Sequence, residues 1–147
     1  MIKSVFGYFN IKVVVFLFVC LNILIYLPYF LNEAIVGFSM DTFGYLFVSE
    51  QLKLGLLPVQ LPYDFPIGYS LFINLFDWGG GLLLILIQLL LYVLSSIFFI
   101  KELFKLSKSF GVAGLLGLCM YSLQPYTIRF NLSLNTESLF ISFIIIY

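Results

Sequence analysis

Uncharged apolar stretches alternate with short charged segments along this chain. Residues 13–31, 82–100 and 110–128 form three such stretches, each 19 residues long and without Asp, Glu, Lys or Arg. A helix needs about 20 apolar residues to cross the ~30 Å hydrocarbon core of a bilayer. The pattern therefore predicts three complete transmembrane helices. A fourth apolar run, residues 138–147, is too short to cross as a helix and predicts only the start of another span.

Composition narrows the class of protein. The chain is 63% apolar, 20% aromatic and 10% charged, whereas a soluble domain carries about 25% charged residues. We therefore predict an all-α, polytopic membrane protein. The net charge is zero, which gives no reason to expect a nucleic-acid partner, and the absence of His removes the commonest general base. Both Cys residues lie in apolar runs, so no disulfide framework is expected.

Two features concern the ends of the chain. The first apolar run has basic flanks, as a cleaved signal peptide does, but it is long and no A-x-A-like cleavage site follows it. An uncleaved helix is the favoured interpretation. The last run stops at Tyr147, inside a predicted span. We therefore expect residues 1–147 to be the N-terminal part of a single, longer transmembrane domain.

Basic residues predict the orientation, since Lys and Arg favour the cytoplasmic side. With the N-terminus in the cytoplasm, the inner segments hold five of them, and the outer segments hold only Lys53 and Arg129. The five are Lys3, Lys12, Lys101, Lys105 and Lys108. Residues 32–81 then form a long outer loop. The expected location is a bacterial inner membrane.

The outer loop has helical patterning of its own. Residues 41–54 place apolar side chains apart from a polar cluster, which suits an amphipathic helix lying in the membrane interface. Ser39 or Asp41 can cap its start, and Gly55 suits its end. Three prolines follow, and a second apolar segment, residues 67–76, leads back to the membrane. The loop therefore predicts two short interfacial helices.

Three fragments of the chain resemble a known superfamily. They are Asp41-Thr42-Phe43-Gly44-Tyr45, Pro66-Ile67-Gly68-Tyr69-Ser70-Leu71-Phe72 and Thr136-Glu137-Ser138-Leu139-Phe140. The fragments resemble segments of the polytopic GT-C glycosyltransferases. They occur in the same order, and the first two follow one span on the predicted outer face, as they do in those enzymes. Protein O-mannosyltransferases and aminoarabinose lipid A transferases belong to this group.

The resemblance implies a reaction and a set of partners. Such enzymes move a sugar from a polyprenyl-phosphate donor to a lipid, glycan or protein acceptor at the outer membrane surface. Asp41 would serve as general base, since a carboxylate can take the proton that the attacking acceptor loses. Substrate-binding roles then fall to Arg129, Glu137, Tyr69, Asp64 and Lys53. No cofactor is specified, and dependence on a divalent metal is left open.

Each of these residues also has a structural interpretation. Asp41 can act only as a helix cap, and Asp64 can be a turn former between prolines. Arg129 can be an interfacial anchor that reaches the headgroups, and Lys53 can be a solvated surface residue. Tyr69 can be an interfacial aromatic.

Two further interpretations stay open. Glu137 lies between an outer loop and an apolar run, where a carboxylate is costly unless paired, so an ion pair with Arg129 is expected. The alternative to an enzyme is a non-catalytic membrane protein, such as a transporter fragment or an accessory subunit.

One glycine pattern concerns packing. Gly111, Gly114 and Gly117 recur every three residues in the third apolar stretch, which indicates close approach to a neighbouring helix. Pro125 lies near the outer end of the same stretch, where a kink is tolerable.

Overall fold

The computed structural model describes residues 10–31, 40–55, 67–76 and 80–133, together with the single residues Thr136, Leu139 and Ser142. Over this part the chain forms six α-helices, which confirms the prediction of an all-α fold. In chain order they are α1 (Ile11–Leu31), α2 (Met40–Lys53), α3 (Ile67–Phe76), α4 (Gly80–Leu106), α5 (Lys108–Ser122) and α6 (Pro125–Asn131).

Two of these helices, α1 and α4, are long and apolar enough to cross a membrane. They have 21 and 27 residues, and they contain the first two predicted spans. At about 1.5 Å per residue, both exceed the thickness of the hydrocarbon core. Length and composition alone are weak evidence for a membrane protein, because a buried core helix or a signal sequence shares them.

The third predicted span is not one continuous helix, so two helices rather than three meet the length criterion. The chain leaves α5 after Ser122, turns at Leu123 and Gln124, and begins α6 at Pro125. Proline lacks a backbone N–H, and its ring disfavours helical backbone in the preceding residue. Gln124 is accordingly extended, with φ −68° and ψ 132°. Pro125 therefore starts a new helix instead of bending the old one.

The predicted start of a fourth span falls mostly outside the described residues. Leu139 and Ser142 are buried, so at least these two positions of the run pack against the rest of the protein.

Many large apolar side chains are exposed and many polar side chains are buried in this part of the chain, unlike in a typical soluble protein. Only 22% of the most apolar 18-residue stretch of α1 and 39% of that of α4 is buried. Large apolar side chains of α4 recur every fourth residue on one exposed stripe, formed by Leu82, Leu86, Leu90, Leu94 and Phe98. Conversely, the buried set includes many polar residues, among them Asn22, Gln88, Ser95, Ser96, Ser122, Thr127 and Asn131. Soluble proteins bury such apolar side chains and expose most polar ones.

The hairpin of α4 and α5 packs through glycine. Ser107 caps α5, with its side-chain oxygen accepting a hydrogen bond from the backbone N–H of Ser109 (3.2 Å). A Cβ atom at Gly111 would collide with the ring of Phe104, and one at Gly114 would collide with a methyl group of Leu103. The predicted close approach is therefore present at these two positions. A Cβ atom at the third glycine of the series, residue 117, would meet open space.

Helices α2 and α3 form a smaller pair beside the long helices. Gly55 follows α2 with φ 83°, a left-handed conformation that glycine adopts without strain. The face of α2 that packs inward carries Thr42, Tyr45 and Ser49, all buried, while Phe43 and Phe47 are exposed. The exposed face of α2 therefore carries two large aromatic side chains beside the charged residues Asp41, Glu50 and Lys53, while Val48 is buried.

Candidate functional site

Asp41 lies in the first turn of α2 and is exposed. The helix begins at Met40, so Asp41 is inside the helix and does not precede it. Its carboxylate is close to the free backbone N–H groups of the first turn, where negative charge is favourable. At this position the negative charge can stabilise the helix, and the carboxylate remains accessible at the surface of the protein.

Contacts between α2 and α3 hold the helix that carries Asp41. The hydroxyl of Ser70 donates a hydrogen bond to the backbone carbonyl of Tyr45 (3.1 Å). Farther along the pair, the hydroxyl of Ser49 donates to the side-chain oxygen of Asn74. The rings of Tyr45 and Tyr69 meet edge to face, with centroids 4.9 Å apart. Three polar or aromatic contacts therefore fix α2 against α3.

Tyr69 is buried, with 4% of the residue exposed. Its hydroxyl donates a hydrogen bond to Oε1 of Gln88 (3.2 Å), a buried side chain of α4. The ring belongs to an apolar cluster that also contains Tyr26, Ile73 and Ile85. Tyr69 thus ties α3 to α4 from within the helix assembly. Its predicted role in substrate binding stays a prediction, and a sugar would need access to a ring that is covered in this arrangement.

A contact between Tyr45 and Thr136 joins two of the fragments noted in the sequence. Their hydroxyl groups are 3.2 Å apart and share a hydrogen bond, although the residues are separated by 91 positions. Tyr45 lies one helical turn after Asp41, and Thr136 directly precedes Glu137. Leu139, from the same fragment, is buried in the cluster that contains Tyr45. Thr136 and Leu139 therefore pack against the helix that carries Asp41.

Arg129 is an exposed residue of α6. The opposite side of this short helix is held inward, since Thr127 and Asn131 are buried. Nδ2 of Asn131 donates a hydrogen bond to the hydroxyl of Tyr26 in α1 (2.7 Å). This bond positions α6 beside α1. Within the described residues, no hydrogen bond or ion pair of the Arg129 side chain is found.

Lys53 lies at the other end of α2 from Asp41. The two residues are twelve positions apart, which corresponds to about 18 Å along a helix axis. Nζ of Lys53 forms an ion pair with Oε1 of Glu50 (2.8 Å). The structure therefore separates Lys53 from Asp41, and its contact with Glu50 favours the interpretation as a solvated surface residue.

Two predicted site residues, Asp64 and Glu137, fall outside the described residues. The expected ion pair between Glu137 and Arg129 therefore stays a prediction. Among the residues that the structure describes, no group of three or more Cys, Asp and Glu side chains is arranged to hold a metal ion.

Sequence reasoning missed the polar contacts that organise the assembly. Gln88 lies in the second apolar stretch and Asn131 lies just after the third, and the sequence assigned neither of them a partner. Each of them in fact pairs with the hydroxyl of a tyrosine from another helix, Tyr69 and Tyr26 respectively. The available signal was the presence of amide side chains in apolar helices, which is costly unless they are paired.

Comparison with protein-family models, curated proteins and solved structures finds no match to this chain. The functional argument therefore depends on the residues and their geometry.

Proposed function

We propose that this chain is a polytopic membrane protein that transfers a sugar from a polyprenyl-phosphate donor to an acceptor at the outer membrane surface. The observation that carries the proposal is the contact between Tyr45 and Thr136. It joins the helix of Asp41 to the fragment that contains Glu137, and both fragments resemble those of GT-C glycosyltransferases.

The membrane assignment is supported by which side chains are exposed. The stripe of α4 and much of α1 present large apolar side chains outward, for example Leu24 at 71% and Leu90 at 56% exposure. In water, such a surface would drive association. In a bilayer it faces hydrocarbon, while buried polar side chains such as Gln88 and Asn131 pair with tyrosines of other helices. The same distribution argues against α4 as the core helix of a soluble protein.

In the proposed reaction Asp41 acts as general base. Its carboxylate accepts the proton of an acceptor hydroxyl as that oxygen forms a bond to the anomeric carbon of the donor sugar. The bond between the anomeric carbon and the phosphate oxygen breaks, and the phosphate leaves with the electron pair on its polyprenyl carrier. The exposure of Asp41 leaves room for an acceptor to approach.

The other predicted residues assist in this proposal. Arg129 meets the negative charge of the phosphate, for which the planar guanidinium offers two parallel hydrogen bonds. Glu137 and Asp64 are proposed to contact the sugar hydroxyls. Tyr69 and Lys53 are the weaker assignments, since one is buried in the apolar cluster and the other is paired with Glu50.

The Asp41→Asn variant tests this proposal. Membranes containing the protein would be supplied with a panel of polyprenyl-phosphate hexoses and pentoses, and release of polyprenyl phosphate would be measured. We expect turnover to fall by about 10²-fold or more, the usual scale for a general base. The change also removes a negative charge from the first turn of α2, which costs only about 0.3–1 kcal/mol at an exposed position, so stability should change little.

Glu50→Gln is the matched control, since it removes an exposed carboxylate from the same helix at the end away from Asp41. It should leave turnover unchanged. Full turnover by Asp41→Asn would remove Asp41 from the mechanism and leave it a structural role.

The alternative is a non-catalytic membrane protein, such as an accessory subunit or a transporter fragment. The observation that favours it is that the buried hydroxyls and amides of the helices pair with one another, for example Tyr92 with Ser122 (2.8 Å). No turnover with any donor of the panel by the unmodified protein would favour this alternative.

A further inference from the structure

Three lysines lie on the surface where α4 ends and α5 begins. Lys101 and Lys105 belong to the last two turns of α4, Lys108 is the first residue of α5, and all three are exposed. Glu102 is the single acidic residue between positions 101 and 110. This end of the helix pair therefore carries a net positive charge.

Little of this charge is neutralised among the described residues. Nζ of Lys105 lies 2.6 Å from Oε1 of Glu102, but both side chains are well exposed, at 70% and 41%. An exposed pair of this kind is weak in water, so Lys105 can exchange its partner. No hydrogen bond or ion pair of the Lys101 or Lys108 side chain is found within the described residues. The lysines are therefore available to an anion from outside the protein.

The two lysines of α4 continue the exposed apolar stripe of that helix. The stripe ends with Leu90, Leu94 and Phe98, which are 56%, 52% and 47% exposed. Lys101 follows Phe98 by three residues, and Lys105 follows Lys101 by four. Residues three and four apart share one face of a helix. One face of α4 therefore changes from hydrocarbon side chains to ammonium groups within a single turn.

The length of this face matches one leaflet of a bilayer. Leu90 and Lys101 are eleven residues apart, which is about 17 Å along a helix axis, and half of the hydrocarbon core is about 15 Å thick. An acyl chain that lies along the stripe from Leu90 to Phe98 thus places its headgroup beside Lys101 and Lys105. A headgroup with a net negative charge fits there, because a zwitterionic headgroup carries its own cation beside the phosphate.

We propose that α4 binds an anionic phospholipid, with an acyl chain along Leu90, Leu94 and Phe98 and the phosphate between Lys101 and Lys105. This inference rests on the membrane assignment made above and not on sugar transfer, since the lysines lie on the predicted inner side. A second copy of the chain is disfavoured as the occupant. Two copies that met through this stripe in the same orientation would bring their lysines together, and like charges at an interface are costly.

Photolabelling tests the proposal with two phospholipid probes that share one acyl chain, which carries a diazirine at its middle. One probe has a phosphatidylglycerol headgroup and the other has a phosphatidylcholine headgroup. The full chain is placed in vesicles made of equal parts of the two unlabelled lipids. We expect the phosphatidylglycerol probe to label residues 90–98 at least about fivefold more than the phosphatidylcholine probe, the factor for one lysine near anionic lipid. Residues 82–86, at the end of the stripe without a lysine, should react equally with both probes.

Two lysine variants separate a bound lipid from general attraction to the membrane surface. Lys101→Gln should remove most of the preference for phosphatidylglycerol at residues 90–98. Lys12→Gln is the matched control and should keep the preference. It removes the same charge from an exposed residue near the start of α1, which does not belong to the stripe of α4.

The ion pair of Lys105 supplies a change in the opposite direction. Glu102→Gln removes the carboxylate beside Lys105, so the preference for phosphatidylglycerol should increase. A decrease in this variant would contradict the proposed place of the phosphate.

Three results would overturn the lipid site. The first is equal labelling of residues 90–98 by the two probes. The second is a loss of preference in Lys12→Gln as large as that in Lys101→Gln, which would assign the effect to the whole membrane surface. The third is labelling of residues 82–86 without any at 90–98, as expected if a second copy covers that part. Failure of the membrane assignment gives a different result, since neither probe would then label either part of α4, and both proposals would end.

Discussion

The hydroxyl groups of Tyr45 and Thr136 share a hydrogen bond across 3.2 Å, which joins α2 to a segment 91 residues farther along the chain. Tyr45 also accepts a hydrogen bond at its backbone carbonyl from Ser70 and packs its ring against Tyr69. One residue of α2 therefore contacts both α3 and the segment around Thr136. The position of Asp41, one turn earlier, depends on these contacts.

This relationship predicts energetic coupling between Tyr45 and Thr136. Tyr45→Phe and Thr136→Val should each lower the melting temperature, and the double variant should lose less than the sum of the two. The expected coupling is about 0.5–1.5 kcal/mol, the net value of one hydrogen bond. Thermal unfolding of the two single variants and the double variant in detergent measures it. Strict additivity would mean that the bond contributes nothing to stability.

The orientation expected from the basic residues predicts opposite accessibility for two exposed sites. Glu50→Cys in α2 should react with a membrane-impermeant thiol reagent from outside, and Lys108→Cys at the start of α5 only after permeabilisation. Both changes are made in a background without Cys20 and Cys119. Labelling of both sites in intact cells would overturn the predicted orientation.

The packing of α5 on α4 predicts contrasting effects of the same change at two glycines. Gly111→Ala places a methyl group against the ring of Phe104, so the free energy of unfolding should fall by about 1–3 kcal/mol, the usual cost of overpacking. Gly117→Ala meets open space and should stabilise α5 by about 0.5–1 kcal/mol, since alanine favours the helix. Denaturation of both variants in the same detergent compares them. Equal effects of the two changes would contradict the packing described here.

Arg129 is predicted to contact the phosphate of the donor. Arg129→Lys keeps the charge but loses the two-pronged geometry, so affinity for a polyprenyl-phosphate sugar should fall by about tenfold, the equivalent of one charge-assisted hydrogen bond. Lys105→Ala should leave affinity unchanged, since that side chain is paired with Glu102 and lies on the predicted inner side. Equilibrium binding of the donor lipid measures both.

A double variant distinguishes a structural Arg129–Glu137 pair from a role of Arg129 in donor binding. If the Arg129–Glu137 pair is only structural, removing both partners should restore the melting temperature lost in the single variants. If Arg129 binds the phosphate, donor binding should stay lost even where stability recovers. Normal donor binding by a stable Arg129→Ala variant would end the phosphate assignment.

The sequence predicted the helices better than the contacts between them. The length of an uninterrupted apolar run correctly predicted α1 and α4. Such a prediction depends on hydrophobicity averaged over many residues and not on any single residue. The same criterion was wrong for the third stretch. The apolar sequence continues through Pro125 there, but the helix cannot, because proline interrupts it. Gly55 was identified correctly as the end of α2, since a single local conformation decides that point.

The candidate site was predictable only in part. Asp41 could be placed near the start of a helix from local pattern alone. The burial of Tyr69 could not be predicted from local pattern. Its position depends on Gln88, which lies nineteen residues away on another helix. The pairing of Tyr45 with Thr136 is a property of the tertiary structure, and neither residue type by itself indicates it.

The break after Ser122 gives α6 a freedom of direction that an unbroken helix would lack. With a turn at Leu123 and Gln124, the path of α5 no longer determines where the guanidinium of Arg129 points. Contacts with other helices take over that role, and they include the hydrogen bond between Asn131 and Tyr26 as well as packing on α4 and α5. Because one of these contacts comes from α1, a change at Tyr26 can alter the position of a charged group more than a hundred residues farther along the chain.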